Sequence, residues 1–301
     1  MEQYPEVRRN QHFRRARGNV YGYARVLGSM TAPSAEALLE KLSRPPIDEV
    51  VCGVLFDPLD GLDPLVIGTY WNERSAEYPG RELKPALVTP PDLPFGPEGL
   101  PRLRVWLIRR DEQFVIQIQS DRFYLNWRRR AETYPSFSGR GGNPGVLAEV
   151  LREYDEFSTF CKRTLKAEPV ASRIELAKVD VLREGDDATS AWTDLEDLAT
   201  MLPWLAPFAG FHVSGAPSFA LRFDEPRAEG LLTVAIGLGA LEEPGIQKRA
   251  VKIETRITKP CKPEGATIEA AFREANIELN RVFGSLIPKA QRDQRFNKGA
   301  T

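Results

Sequence analysis

The chain has 301 residues and a mass of 33.8 kDa, of which 42% are hydrophobic and 28% charged, so it can bury a core and is not globally disordered. Its 41 basic and 42 acidic side chains nearly cancel, which argues against a whole-chain attraction to nucleic acid or to an anionic membrane. This length is typical of two domains or of one large domain.

The number and spacing of the cysteines and histidines limit the redox, metal-binding and catalytic chemistry that we expect of the chain. The three cysteines, Cys52, Cys161 and Cys261, are odd in number and far apart, which is typical of a reduced intracellular protein. The two histidines are also far apart, and no metal-ligand spacing is present. The N-terminus lacks an apolar signal segment, and the longest apolar run, Leu231 to Leu241, is shorter than the roughly 18 residues of a membrane span. We therefore expect a soluble cytoplasmic protein with no cofactor and no metal site.

The N-terminal region, residues 1–46, is predicted to be a basic arm followed by a short helix. Six arginines outnumber two glutamates in residues 1–30, and aromatic residues lie between them. The helix would begin after Ser34 and end near Leu42, because the following prolines cannot continue it. Few aliphatic residues and no apolar periodicity indicate that residues 1–30 are dispensable for folding but needed to bind a partner.

The first half of the body, residues 47–168, is predicted to contain strands followed by one long helix. Residues 50–56 form a valine-rich buried strand, while seven prolines between 79 and 101 predict a long irregular loop. Residues 114–121 alternate in character, and a polar turn joins them to the apolar segment 103–108, which predicts an antiparallel hairpin. Residues 146–165 carry an apolar stripe at helical spacing.

Within this hairpin the period of two assigns each side chain to a face. Ile116 and Ile118 should be buried against the core. Gln117 and Gln119 should lie exposed on the opposite polar face, where their replacement by alanine would leave stability nearly unchanged.

The second half, residues 169–301, is predicted to follow the same order with different residues. Strands are expected at 172–182, 219–223, 231–238 and 251–258, a short helix at 192–202, and a long closing helix at 267–287. We therefore predict an α+β fold of two similar halves, each an antiparallel sheet followed by a long helix.

Several short signatures occur in a distinctive order. They are residues 50–59 (VVCGVLFDPL), Arg104-x-Trp106-x-Ile108, residues 116–119 (IQIQ) and residues 121–128 (DRFYLNWR). Taken together they resemble an uncharacterised family that is distributed sporadically in bacteria and archaea. The resemblance covers roughly residues 47–290, and the basic arm is an addition to it. It implies an architecture but no reaction, and its sporadic distribution is typical of defence systems such as toxin–antitoxin pairs.

The most informative constellation surrounds the hairpin and the segment after it. Glutamine amides both donate and accept hydrogen bonds, and arginine can stack on tryptophan or grip a carboxylate or phosphate. The predicted partner-binding residues are Arg104, Trp106, Gln117, Gln119, Arg122, Asn126 and Arg128. The alternative is that Trp106 and Trp127 are core aromatics and that Asn126 closes a turn.

Basic residues interleaved with aromatics also suit nucleic acid, because arginines bind phosphates and aromatic rings stack on bases. The residues for this alternative are Arg8, Arg9, Arg14, Arg15, Arg17, Arg129 and Arg130. No carboxylate pair, histidine or cysteine has a context suited to acid–base or nucleophilic catalysis.

The sequence therefore favours a non-enzymatic protein that recognises a protein partner, in a defence or toxin-neutralising setting. A nucleic-acid-binding accessory subunit and a hydrolase with an unrecognised site are the alternatives. The sequence does not define the oligomeric state.

Overall fold

A computed structural model describes residues 42–87, 103–130, 134–139, 142, 144–185, 190–208, 219–227, 230–240, 248–261 and 267–297. The strands are β1 (Ile47–Phe56), β2 (Gly80–Pro85), β3 (Leu103–Ile108), β4 (Phe114–Gln119), β5 (Arg122–Arg128), β6 (Ala171–Arg183), β7 (Phe219–Arg227), β8 (Gly230–Ala240) and β9 (Arg249–Pro260). The α-helices are α1 (Pro64–Arg74), α2 (Val146–Thr164), α3 (Leu195–Met201), α4 (Ile268–Leu286) and α5 (Lys289–Phe296), and a 3-10 helix spans Pro203–Phe208.

All nine strands belong to one antiparallel sheet, in the order β2-β3-β4-β5-β1-β6-β9-β8-β7. The prediction of two similar sheet-plus-helix halves is therefore wrong. The two parts of the chain meet where β1 pairs with β6 along nearly its whole length, for example Val50 opposite Lys178. This pairing satisfies backbone groups that would be an exposed edge if each half had its own sheet.

Both long predicted helices are confirmed, and both cover the same face of the sheet, which we call the helix face. Helix α2 buries an aromatic stripe, and the ring centroids of Phe157 and Phe123 on β5 are 5.2 Å apart. Helix α4 begins after Thr267, whose hydroxyl accepts a hydrogen bond from the amide of Ala270. Helix α4 meets β6 through Asn276 and its neighbours.

The predicted hairpin is confirmed. Strands β3 and β4 pair antiparallel, with Leu107 opposite Ile116 and Val105 opposite Ile118. Ile116 and Ile118 are fully buried on the helix face. Alternation of apolar and polar residues therefore identified both the pairing and the core-facing side.

Two strands differ from the sequence expectation. The predicted proline-rich loop contains β2, and Pro85 ends this strand at the edge of the sheet, where a missing N–H is tolerated. Residues 122–128, in which Asn126 was assigned to a turn as an alternative, form β5 between β4 and β1. Trp127 on this strand is a core aromatic.

The basic arm, the helix predicted before Leu42, and His212 lie outside the described residues. In the part of the chain that the structure describes, no helix is both long and apolar enough to span a membrane.

Candidate functional site

The seven predicted partner-binding residues all lie on the face of the sheet opposite the helix face, which we call the polar face. Strand alternation places them there together, and the register sets Trp106 opposite Gln117 and Gln119 opposite Arg122. The set comprises Arg104 and Trp106 on β3, Gln117 and Gln119 on β4, and Arg122, Asn126 and Arg128 on β5. Three adjacent strands thus bring residues from 104 to 128 onto one surface.

Four of these side chains are buried, contrary to the expectation of an exposed polar face. Gln117 is 4% exposed, Gln119 7%, and Arg122 and Asn126 6% each. Strand β4 is internal to the sheet, and long neighbouring side chains lie along the surface above it. The Arg104 guanidinium, for example, donates to the side-chain oxygen of Gln117 at 2.6 Å.

The side-chain amide of Gln119 forms two hydrogen bonds with the backbone of Leu87 in the same chain. Its oxygen accepts from the backbone amide of Leu87 at 2.9 Å, and its nitrogen donates to the backbone oxygen of Leu87 at 3.1 Å. The same nitrogen donates to Asp121, which also receives two hydrogen bonds from Arg122. Gln119 and Arg122 therefore have their hydrogen bonds satisfied within the fold and act structurally.

Beside Gln117 on the polar face, three cations surround the half-buried indole of Trp106. The Lys84 ammonium lies 5.2 Å from the Trp106 ring centroid, and the guanidinium carbons of Arg104 and Arg128 lie at 5.4 and 5.9 Å. We call Lys84, Arg104, Trp106 and Arg128 the Trp106 cluster. Each cation is within the range in which it is attracted to an aromatic ring.

Arg104 and Arg128 have no ion-pair partner among the described residues, whereas three other arginines of the polar face do. Arg122 pairs with Asp121 and Arg222 with Asp224, while Arg256 pairs with Glu175 and Glu254. Lys84 in the Trp106 cluster pairs with Glu82. Among the described residues, no carboxylate comes within ion-pair distance of Arg104 or Arg128, although Glu49 on β1 lies opposite Arg128 in the register and Glu82 on β2 lies opposite Trp106.

The surroundings of these two guanidinium groups disfavour their charge. Burial lowers the pKa of Arg104, and the nearby Arg122 charge lowers it further. Burial also lowers the pKa of Arg128, and the Arg130 charge lowers it further, while the nearby carboxylates of Glu49, Glu112 and Glu82 act in the opposite direction. Both groups stay protonated at neutral pH, since arginine begins from a pKa above about 12. An anion placed between them would reverse this electrostatic penalty.

Four buried polar atoms of the predicted site make no hydrogen bond within the described part of the chain. Three are donors, namely Nε of Arg104, Nε of Arg128 and Nε1 of Trp106, and the fourth is the acceptor Oδ1 of Asn126. The Asn126 amide nitrogen donates to Glu49 at 2.7 Å, which fixes the orientation of this amide. Buried polar atoms are normally paired, so this concentration within one patch is unusual.

The centre of the polar face holds a charged network that the sequence reading missed. Burial raises the pKa of Glu175, and the Arg256 charge, with which it pairs, opposes this. Burial and the Glu175 charge both raise the pKa of the Tyr124 phenol. The period of two in residues 122–128, with Phe123, Leu125 and Trp127 alternating with polar residues, is the signal that would have placed Tyr124 on this face.

The residues predicted for nucleic-acid binding divide into two groups. Arg8, Arg9, Arg14, Arg15 and Arg17 lie outside the described residues. Arg129 donates to the backbone oxygens of Pro45 and Ile47, and Arg130 lies 3.6 Å from Glu112. Arg129 therefore anchors the start of β1, and Arg130 has an acidic neighbour.

The cysteines are placed as packing residues. Cys52, Cys161 and Cys261 are all buried free thiols, and burial raises the pKa of Cys161 to about 12. Burial also raises the pKa of Cys52 and Cys261, which keeps the unreactive thiol form. No group of three or more His, Cys, Asp or Glu side chains that could hold a metal ion occurs within the described residues.

Comparisons with known protein families, with curated proteins and with solved structures find no match to this chain. The family resemblance drawn from the sequence signatures therefore stays a prediction. Fold and site define a single-sheet antiparallel protein with a basic, tryptophan-centred patch on its polar face.

Proposed function

We propose that the chain is a non-enzymatic binding protein that holds an acidic part of a protein partner against the Trp106 cluster. The observation that carries this proposal is that Arg104 and Arg128 flank one indole without a carboxylate partner among the described residues. Partial burial of an unpaired charge is unfavourable, and a carboxylate supplied by a partner would offset it.

The Asp121 carboxylate of the polar face suits binding better than catalysis. It is held by Arg122 and Gln119, and these hydrogen bonds keep its pKa below the ordinary value, which makes it a poor general base. Glu175 is hydrogen-bonded to Arg256, but burial outweighs that charge and raises the pKa of Glu175. The defence setting rests on the resemblance alone and stays a prediction.

The test compares protein partners captured from the native cell by the wild type and by matched variants. The Arg104→Gln/Arg128→Gln double variant removes both unpaired charges. Arg222→Gln is the control, because Arg222 is an exposed arginine of the same face that is already paired with Asp224. Thermal melts establish that each variant is folded, and affinities for the identified partner follow with purified proteins.

We expect the double variant to bind the partner at least about tenfold more weakly than the wild type. Hydrogen bonds to charged groups contribute more free energy than those between neutral groups. The control should stay within about twofold, because exposed arginines contribute little. Equal binding by the wild type and the folded double variant would refute the proposal. Recovery of nucleic acid in place of protein, lost in the same variant, would favour the accessory-subunit alternative.

A further inference from the structure

The Trp106 cluster and Asn126 together offer hydrogen-bond donors at one end and an acceptor at the other. The donors are the Nε groups of Arg104 and Arg128 and the indole Nε1 of Trp106, each without an acceptor in the described structure. The acceptor is Oδ1 of Asn126, a residue that is 6% exposed. All four atoms are buried, so the side chains above them must move before a ligand reaches them, and a ligand that satisfies all four must carry both an anion and a donor.

The charge distribution of the indole ring determines where an anion can lie beside it. The ring centroid has three cations within 6 Å, so the electron-rich faces of the ring are already engaged. An anion is repelled by those faces and is attracted to the ring edge, where Nε1–H points. A carboxylate at this edge accepts from the indole and from the two guanidinium groups that flank it.

The acceptor distinguishes a peptide from a phosphodiester backbone. Asn126 lies two strands away from Trp106 and two residues further along the sheet, a separation of about 12 Å, which is the length of three to four extended residues. A peptide that places a carboxylate at Trp106 carries backbone N–H groups at this distance. A DNA backbone offers phosphate oxygens, which are acceptors only, and would leave Asn126 Oδ1 without a donor.

We propose that this part of the polar face binds an extended acidic peptide segment, with one Asp or Glu carboxylate seated against Arg104, Arg128 and the indole edge and a backbone N–H donating to Asn126. This inference rests on the proposed function and specifies the chemistry that the partner presents. The full chain is used throughout its test.

The first probe is a phage-displayed library of random dodecapeptides, panned against the wild type. We expect enrichment of Asp and Glu, and at least about tenfold weaker binding of a recovered peptide by the Arg104→Gln/Arg128→Gln variant in calorimetry. Replacing the critical Glu or Asp of that peptide by Gln or Asn should cause a similar loss. Arg222→Gln should bind as the wild type does.

Two single variants test the assigned atoms. Trp106→Phe keeps an aromatic ring but removes the indole N–H together with part of the bicycle, and Asn126→Leu removes the acceptor. Each should weaken the recovered peptide several-fold, since each removes one hydrogen bond. Peptide binding that is unchanged in both folded variants would overturn the assigned contacts.

The second probe is a twelve-nucleotide thymidine oligonucleotide, followed by fluorescence anisotropy. Tight binding that is lost in the double variant would overturn the carboxylate assignment in favour of phosphate. If no acidic peptide is enriched but capture of a cellular partner still depends on Arg104 and Arg128, this inference fails while the proposed function stands. If capture is also independent of both arginines, the two fail together.

Discussion

The phenol ring of Tyr124 on β5 lies directly against Gly53 on the adjacent strand β1. A Cβ built on Gly53 would come within 2.3 Å of the Tyr124 Cε1 atom, a distance at which one of the two must move. The glycine therefore makes room for the ring to lie along the polar face toward Glu175 on the next strand. The absence of one side chain allows the charged network to cross three strands.

Gly53→Ala should destabilise the protein by about 1–3 kcal/mol, because it overpacks a site where the ring cannot be displaced without losing its partners. Gly68→Ala is the control, since no atom of the described structure lies within 4 Å of a Cβ at this position of α1. There, alanine should stabilise by about 0.5–1 kcal/mol through its better helix propensity. Urea unfolding measures both, and equal effects of the two substitutions would contradict the packing argument.

Gln119→Ala should destabilise the fold, contrary to the expectation for an exposed glutamine. The substitution removes both hydrogen bonds to the Leu87 backbone and one to Asp121, for a net cost of about 1–3 kcal/mol. Gln294→Ala on the exposed side of α5 is the matched control and should change the free energy of unfolding by less than about 0.5 kcal/mol. Chemical denaturation of both variants decides whether Gln119 is structural.

Two fully buried tryptophans, Trp127 on β5 and Trp192 after β6, should differ in stability loss when each is replaced by phenylalanine. Trp127 Nε1 has no hydrogen-bond partner among the residues that the structure describes, whereas Trp192 Nε1 donates to the backbone oxygen of Leu182 at 2.8 Å. Trp192→Phe should therefore be more destabilising than Trp127→Phe by about 1 kcal/mol. Trp127→Ala should cost about 3–5 kcal/mol, because it also opens a cavity next to Tyr134. Thermal melts that rank the two phenylalanine variants in the opposite order would refute this reasoning.

The periodicity of apolar residues correctly predicted the elements that depend on local sequence pattern. The hairpin, the two long helices and the burial of Ile116 and Ile118 all follow from spacing of apolar residues. The pairing of β1 with β6 could not be predicted, because it joins segments more than one hundred residues apart and leaves no local signal. An architecture of two halves and one of a single sheet have the same order of elements in sequence.

Alternation along β4 predicted the face on which Gln117 lies but not its surroundings. Arg104 and Trp106 were grouped with Gln117 as binding residues, and the register of β3 and β4 places all three on the polar face. Burial of Gln117 and pairing of Arg122 depend on which side chains lie across the sheet, which the sequence does not state. The surroundings of Lys178 on the helix face could not be predicted for the same reason. Its buried ammonium donates to the side-chain oxygens of Asn276 and Asn280 on α4.

The ion pair between Asp197 on α3 and Arg295 on α5 should make stability depend on pH in the acid range. Arg295 donates to both carboxylate oxygens, at 2.5 and 2.9 Å, and these hydrogen bonds hold the pKa of Asp197 below its ordinary value. The folded state therefore binds the proton less readily than the unfolded state, whose aspartate has a pKa of about 3.9. The stabilisation is fully present above that value and is lost as the pH falls through the lower folded-state pKa.

Asp197→Asn should cost about 1 kcal/mol at pH 7, a value reduced by partial exposure of the pair, and progressively less below about pH 4. Asp293→Asn is the control, because its pair with Lys289 is fully exposed on α5 and should give a smaller change. Urea unfolding at pH 7, 4 and 2.5 gives the free-energy difference between the wild type and each variant. A deficit of Asp197→Asn that stays constant over this range would show that the hydrogen bonds of Asp197, and not its charge, stabilise the contact between α3 and α5.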